Sequence, residues 1–127
     1  MDRIIESFPT LFPPKIGVDG ESYRFRFECG PGWHDIIYDM CTTLTPLIKR
    51  HKLRNPDHGT PFFYRIHEKY GALNVDLYYD TPRMIEVTEA AETKSLEICE
   101  QCGAPGSMRG TGWYYVACYD HIRKDGL

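Results

Sequence analysis

Cys99-Glu-Gln-Cys102 and, fifteen residues further on, Cys118-Tyr-Asp-His121 decide how this chain is read. Each pair holds two soft ligands separated by two residues, the spacing at which a tight knuckle aims two side chains at one point. Two such knuckles close a tetrahedral zinc site. Cys99, Cys102, Cys118 and His121 are therefore expected to bind one zinc ion. Gly103 supports the reading, because the knuckle turns sharply there and its N–H groups must face the thiolates with no side chain in the way. Four protein ligands leave no open position for water or substrate, so the expected metal is structural rather than catalytic. Buried free cysteines beside an exposed histidine are the plain alternative, but four ligands at this spacing seldom coincide by chance.

Outward from the knuckles, 127 residues fit one domain, or a core with a small metal-stapled appendage. An apolar content of 42% and a charged content of 26% describe an ordinary globular chain. The formal charge of -3 argues against a protein that coats nucleic acid, so any such contact would be a local patch. No apolar run approaches the ~20 residues of a membrane span. Asp2 and Glu6 stand where a signal peptide carries basic and then apolar residues, so a cytosolic protein is expected, with no membrane association. Five cysteines, an odd number, three of them clustered late with His121, fit metal use in a reducing compartment better than a disulfide framework.

The first twenty-two residues read as an arm with Ile4, Ile5, Phe8, Leu11 and Phe12 among three prolines that forbid a long helix. From Tyr23 to Cys29, aromatic and charged residues alternate with period two, which predicts a half-buried strand with Tyr23, Phe25, Phe27 and Cys29 inward. Cys29-Gly-Pro-Gly-Trp33 forms a corner into a helix from Trp33 to Lys52, whose buried stripe is Ile37, Met40, Cys41, Leu44 and Ile48. Pro46 should kink or break it. The basic run from Arg50 to Thr60 reads as a solvated face. Phe62 to Tyr79 predicts a hairpin turning at Gly71, with Tyr64 and Ile66 inward on its first strand and Leu73, Val75, Leu77 and Tyr79 on its second. Thr81-Pro82 starts a second helix, with Met84, Ile85, Val87, Thr88 and Ala91 inward.

The expected fold is thus α+β: a small antiparallel sheet of three or four strands packed by two helices, with a C-terminal zinc ribbon. Its divisions are the proline-containing arm over 1–22, the core over 23–97 and the ribbon over 98–127, docked on the core. The ribbon tip, Gly106 to Gly112, carries Arg109 and leads into Trp113, which is expected to pack the ribbon onto the second helix.

Cys29-Gly-Pro-Gly-Trp33, Ile66-His-Glu-Lys-Tyr-Gly-Ala-Leu73, Cys99-Glu-Gln-Cys-Gly-Ala-Pro-Gly106, Gly112-Trp113 and Cys118-Tyr-Asp-His121 together resemble a group of short hypothetical proteins of bacteriophages and prophages. The resemblance spans about Tyr23 to His121 and is most specific in the Cys-Gly-Ala-Pro-Gly run. His67 and Tyr70 stand where the group leads one to expect lysine and phenylalanine. The resemblance implies an intracellular, phage-encoded accessory protein, located in the host cytoplasm, and carries no catalytic residue with it.

A catalytic reading would start from His34-Asp35 or His67-Glu68, as a small hydrolase or transferase. Neighbours on a helix or strand point to different sides, so neither pair is an automatic dyad, and the chain is expected not to be an enzyme. A second metal site from Cys29, His34 and Cys41 competes with the predicted core positions of both cysteines. The leading expectation is a non-catalytic protein that binds and inhibits or redirects a host protein, an anti-defence role against a bacterial immune component. Trp33, Arg109 and Trp113 are its expected partner anchors, since buried aromatic and arginine side chains dominate interface energies. The alternative is a nucleic-acid or nucleotide binder using Arg109, Trp113 and Arg123 at the tip.

Overall fold

The structure, a computed structural model, describes residues 1–124; the last three residues of the expected ribbon lie outside that range. The fold is α+β. Its elements run α1 (Asp2–Ser7), β1 (Lys15–Ile16), β2 (Ser22–Tyr23), α2 (His34–Arg54), β3 (Phe62–Lys69), β4 (Ala72–Tyr78), α3 (Pro82–Ser95), β5 (Ser107–Arg109) and β6 (Tyr115–Ala117). Short 3-10 turns follow α1 and precede α2. The core lies between the β3–β4 hairpin and the two long helices: Ile37, Met40, Cys41 and Leu44 from α2 meet Phe63, Ile66, Leu73 and Leu77 from the hairpin and Met84 and Ala91 from α3. The N-terminal residues close this core with Ile4, Leu11 and Phe12, and Phe12 rests on Phe25 and Phe63 with ring centroids 5.0 and 5.1 Å away.

Local chemistry sets the elements. The hairpin turn has Tyr70 at φ 53° and Gly71 at φ 87°, the doubly positive backbone that matches strand twist in a two-residue loop. Thr81 caps α3 by accepting from the Met84 N–H at 3.3 Å, with Pro82 in the first turn. The outer edge of β4 is satisfied by α3 rather than by another strand. Ser95 Oγ accepts from the Leu73 N–H at 3.0 Å and Glu92 Oε2 accepts from the Val75 N–H at 2.8 Å, so the edge amides have partners and cannot recruit a foreign strand.

Several expectations are corrected. The alternation from Tyr23 to Cys29 does not make a sheet strand: only Ser22–Tyr23 pairs, with Lys15–Ile16, and further on only Glu28 bridges β3, in parallel with His67. Tyr23, expected inward, is exposed; from Arg24 on the period survives in burial, since Phe25 is buried and Phe27 half-buried while Arg24 and Arg26 are exposed, and the aromatics pack on one another instead of being laid down by a ladder. Among the described residues the strands therefore form three two-stranded pairs, not one larger sheet. Tyr64 faces out because the register shifts between Phe63 and Arg65, leaving Tyr64 unpaired while Phe63 and Ile66 both turn inward. Tyr79, at φ 59°, leaves the sheet and is exposed; Ile85 is exposed as well. Pro46 does not break α2, which continues to Arg54. The ~3 kcal/mol cost of an internal proline is outweighed by stripe residues on both sides of it, each worth about 1.5–3 kcal/mol when buried.

Two variants test the α3–β4 edge. Ser95→Ala leaves the buried Leu73 N–H without its partner and is expected to cost about 1–3 kcal/mol in urea denaturation. Burial raises the Glu92 carboxyl above the ordinary range, and Glu89 and Asp76 add to that against the Val75 N–H. The folded state therefore holds this proton more tightly than the unfolded state, and the stability Glu92 contributes is lost as pH rises through its folded value. Glu92→Gln keeps an acceptor for Val75 and has no proton to lose. Its stability should match the parent near about pH 4 and exceed it at pH 7; a pH-independent difference would contradict the assignment.

Candidate metal centre

The segment after α3 turns at once into the first knuckle. Cys99 N–H donates to the Ala104 carbonyl at 2.8 Å, and Gly103 N–H donates back to the Cys99 carbonyl at 2.9 Å with Gly103 at φ 83°. The second knuckle follows β6, closed by His121 N–H on the Cys118 carbonyl at 3.1 Å. Antiparallel β5–β6 pairing, and the Glu100 N–H donating to the Val116 carbonyl at 3.1 Å, bring the knuckles face to face. One ligand atom from each of Cys99, Cys102, Cys118 and His121 lies within 4.8 Å of all the others, and this cluster could hold a metal ion. Cys102 Sγ stands 3.7 Å from Cys118 Sγ, and His121 Nδ1 stands 3.5 Å from Cys99 Sγ and 3.2 Å from Cys118 Sγ.

The electrostatics favour a cation. Burial pushes the Cys99 thiol up, but backbone N–H groups of Cys118, Cys102 and Gln101 outweigh it and bring the value down to about 6. Cys102 behaves oppositely. The Ala104 N–H pulls its thiol down, yet burial and the neighbouring thiols of Cys118 and Cys99 push it up on balance. One thiolate is thus stabilised by backbone dipoles, and further negative charge beside it calls for a shared positive ion.

The cluster is built onto the core by the Cys29–Trp33 corner, a connection the sequence reading missed. Gly32 N–H donates to the Glu100 carbonyl at 2.7 Å, Gly30 N–H to Glu100 Oε2 at 2.8 Å, and Trp33 Nε1 to the Ile98 carbonyl at 2.9 Å. The two backbones touch at Gly32, where a Cβ would run into the Cys99 carbonyl and stand 2.6 Å from the Gly103 nitrogen. The available signal was two glycines flanking a proline just before a tryptophan, more than a simple helix entry needs.

Trp33 is consequently corrected as a partner anchor: it is fully buried, with its indole N–H spent on the knuckle. Trp113 is corrected as the ribbon's packing residue, being 87% exposed. Arg109 is half-buried; its Nε donates to the Ala117 carbonyl at 2.9 Å and its guanidinium lies 5.2 Å from the Tyr119 ring centre. Arg123 lies 4.3 Å from the Tyr115 ring centre. His34 does meet Asp35, at 3.2 Å, but Asp35 is almost wholly exposed. His67 reaches Asp76 across the hairpin at 4.0 Å. Burial pushes the thiols of Cys29 and Cys41 up to about 12, which suits core side chains and not metal ligands.

No protein-family model, curated protein or solved structure matches this chain.

Gly32→Ala, whose new Cβ meets the backbone of the knuckle and no ligand atom, is expected to lift the first knuckle off the corner. Hydrogen exchange at Cys99 to Gly103 should speed up by tenfold or more, about 1.4 kcal/mol, while the β3–β4 amides change little. Unchanged exchange at the knuckle would show that the docking is not needed.

Proposed function

We propose that the cluster holds a structural zinc ion and that the chain is a non-catalytic, phage-encoded accessory protein that binds and inhibits or redirects a host protein, a bacterial immune component being the target class. The donor set supports zinc. Zn–S bonds of about 2.3 Å and Zn–N bonds of about 2.0–2.1 Å imply tetrahedral edges of about 3.8 Å between sulfurs and about 3.5 Å between sulfur and nitrogen. The separations of 3.7 Å between Cys102 and Cys118 and 3.5 Å between Cys99 and His121 come close to these edges, and that of 3.2 Å between Cys118 and His121 falls short of its edge. Three sulfurs and one imidazole nitrogen also suit zinc better than a hard cation. With four residues as ligands, the ion would join the ribbon's two arms and take no part in a reaction.

The observation that carries the binding role is Trp113, exposed at the end of a ribbon whose fold is otherwise held tight. Tyr114, next to it in the chain, and Met108 are also exposed, and the hairpin turn approaches the ribbon so closely that a Cβ on Gly71 would stand 2.7 Å from the Met108 sulfur. An exposed aromatic group is characteristic of a protein interface centre. The alternative of a nucleic-acid contact at the tip has less support, because Arg109 and Arg123 are already engaged with the protein's own tyrosines.

Native mass spectrometry of the gently purified protein should find one zinc, and Cys102→Ser should lose it. In the same bacterial lysate, Trp113→Ala should lower retention of the bound host protein at least tenfold, whereas His34→Ala and His67→Ala should not. A partner held equally by Trp113→Ala and the parent would refute the interface, and a metal-free parent would refute the zinc.

A further inference from the structure

The register shift in β3 does more than displace one tyrosine. With Tyr64 outward, its ring lies beside Tyr78 at 5.1 Å and 12°, nearly parallel, and Phe62 meets Tyr78 edge-on at 5.2 Å. Tyr64 and Tyr78 remain 48% and 46% exposed, so large aromatic area stays in water on the face of the hairpin turned away from the core. Next to it the β1–β2 ribbon and the stretch leading to Glu28 enclose a groove of about 570 Å³, lined by Lys15, Tyr23, Arg24, Arg26 and Glu28. Lys15 joins the two features: its Nζ lies 4.7 Å from the centre of the Tyr64 ring and 5.3 Å from that of Phe25.

The charge in this groove is positive in a chain whose formal charge is -3. Glu28, in the lining, is neutralised by Nε and Nη2 of Arg65 at 2.8 and 3.0 Å, which hold its carboxyl below the ordinary range, and Asp19, beside the groove, accepts from the Tyr23 hydroxyl. Arg24 has a long contact to Asp2 at 3.8 Å. Lys15 and Arg26 have no carboxylate at ion-pair distance among the described residues. A cationic groove running into a shelf of flat rings is the combination that holds a single strand, phosphates in the groove and bases on the rings. A duplex keeps its base faces stacked inside and offers the rings nothing.

We propose that this face binds single-stranded nucleic acid, with phosphates at Lys15 and Arg26 and bases on Tyr64 and Tyr78. The Lys15 ammonium, which lies over the Tyr64 ring in the free protein, moves to a phosphate as a base takes its place. The surface shares no residue with the ribbon tip, so this assignment and the protein-binding role stand or fall separately.

Fluorescence anisotropy of the intact chain with labelled oligothymidine and oligouridine tests it. Each phosphate contact contributes about -0.7 to the slope of log affinity against log salt. The parent should show a slope of about -1.4, and Lys15→Ala should remove about half of it. Tyr78→Ala should weaken binding about 5- to 150-fold, the range for one stacked base. Tyr78→Phe, which keeps the ring, should retain the affinity, as should Lys94→Ala, which removes a cation from α3. Unlabelled single strand should compete well and the matching duplex poorly. The assignment is overturned by undetectable binding at about 50 mM salt, by affinity indifferent to Tyr64→Ala and Tyr78→Ala together, by a duplex that competes equally, or by a peptide or protein that protects this face while no strand binds.

Discussion

The contact on which the rest of this structure depends is backbone against backbone: the Gly30–Gly32 corner seated on the Ile98–Gly103 knuckle, with the Trp33 indole bonded to the Ile98 carbonyl. A peptide-on-peptide approach this close is open only to glycine. It places Trp33, just before α2, and Ile98, just after α3, sixty-five residues apart in sequence, at one point. The large buried ring of Trp33 then welds that point to the main core. Glu100 completes the seam, its carboxyl raised by burial but still accepting from the Gly30 N–H.

The docking matters because the ribbon cannot stand on apolar burial. Its own cluster consists of Cys99, Tyr115 and Ala117, with Cys118 against it, far too little to offset the entropy of ordering its loops. Two other sources of order are available: a Cys/His cluster that could hold a metal ion between the arms, and a seam of hydrogen bonds to the core. The result is a small rigid platform on a conventional α+β core. The aromatic side chains at its edge are thereby released from packing, which is how Trp113 comes to be free.

Much of this was legible in the sequence where a local rule acts alone. Ligand spacing located the cluster, helical period found Ile37, Met40, Cys41 and Leu44, and Thr81-Pro82 and Gly71 marked a cap and a turn. Misreadings arose where two elements far apart in sequence compete for one surface. Nothing near Trp33 tells that a carbonyl sixty-five residues later will take its N–H, so a buried staple looked like an anchor, while Trp113 looked like packing. Strict alternation through Tyr64 put that ring in the core; a single unpaired residue reversed it. The stretch after Tyr23 kept its inward and outward pattern but not its ladder, because period two reports side-chain burial and says nothing of what the backbone pairs with. Pro46 illustrates the converse, a strong local penalty overridden by the burial on either side.

Tyr70 connects strain to function. It holds φ 53° in a turn where asparagine or glycine would sit with little cost, and a side chain of its size in the left-handed region costs about 1–3 kcal/mol. Packing does not repay that cost, since the ring is 75% exposed, with the Lys69 ammonium 5.8 Å from its centre. The turn it occupies abuts the ribbon at Met108 and the Tyr114 backbone, through Gly71. The proposed protein-binding role would give this displayed ring a use, while the positive angle itself is what the two-residue turn requires. The hairpin thus contributes to both proposed surfaces, its turn lying against the ribbon and its bulged outer face carrying Tyr64 and Tyr78. The single register that buries Phe63 and Ile66 sets both.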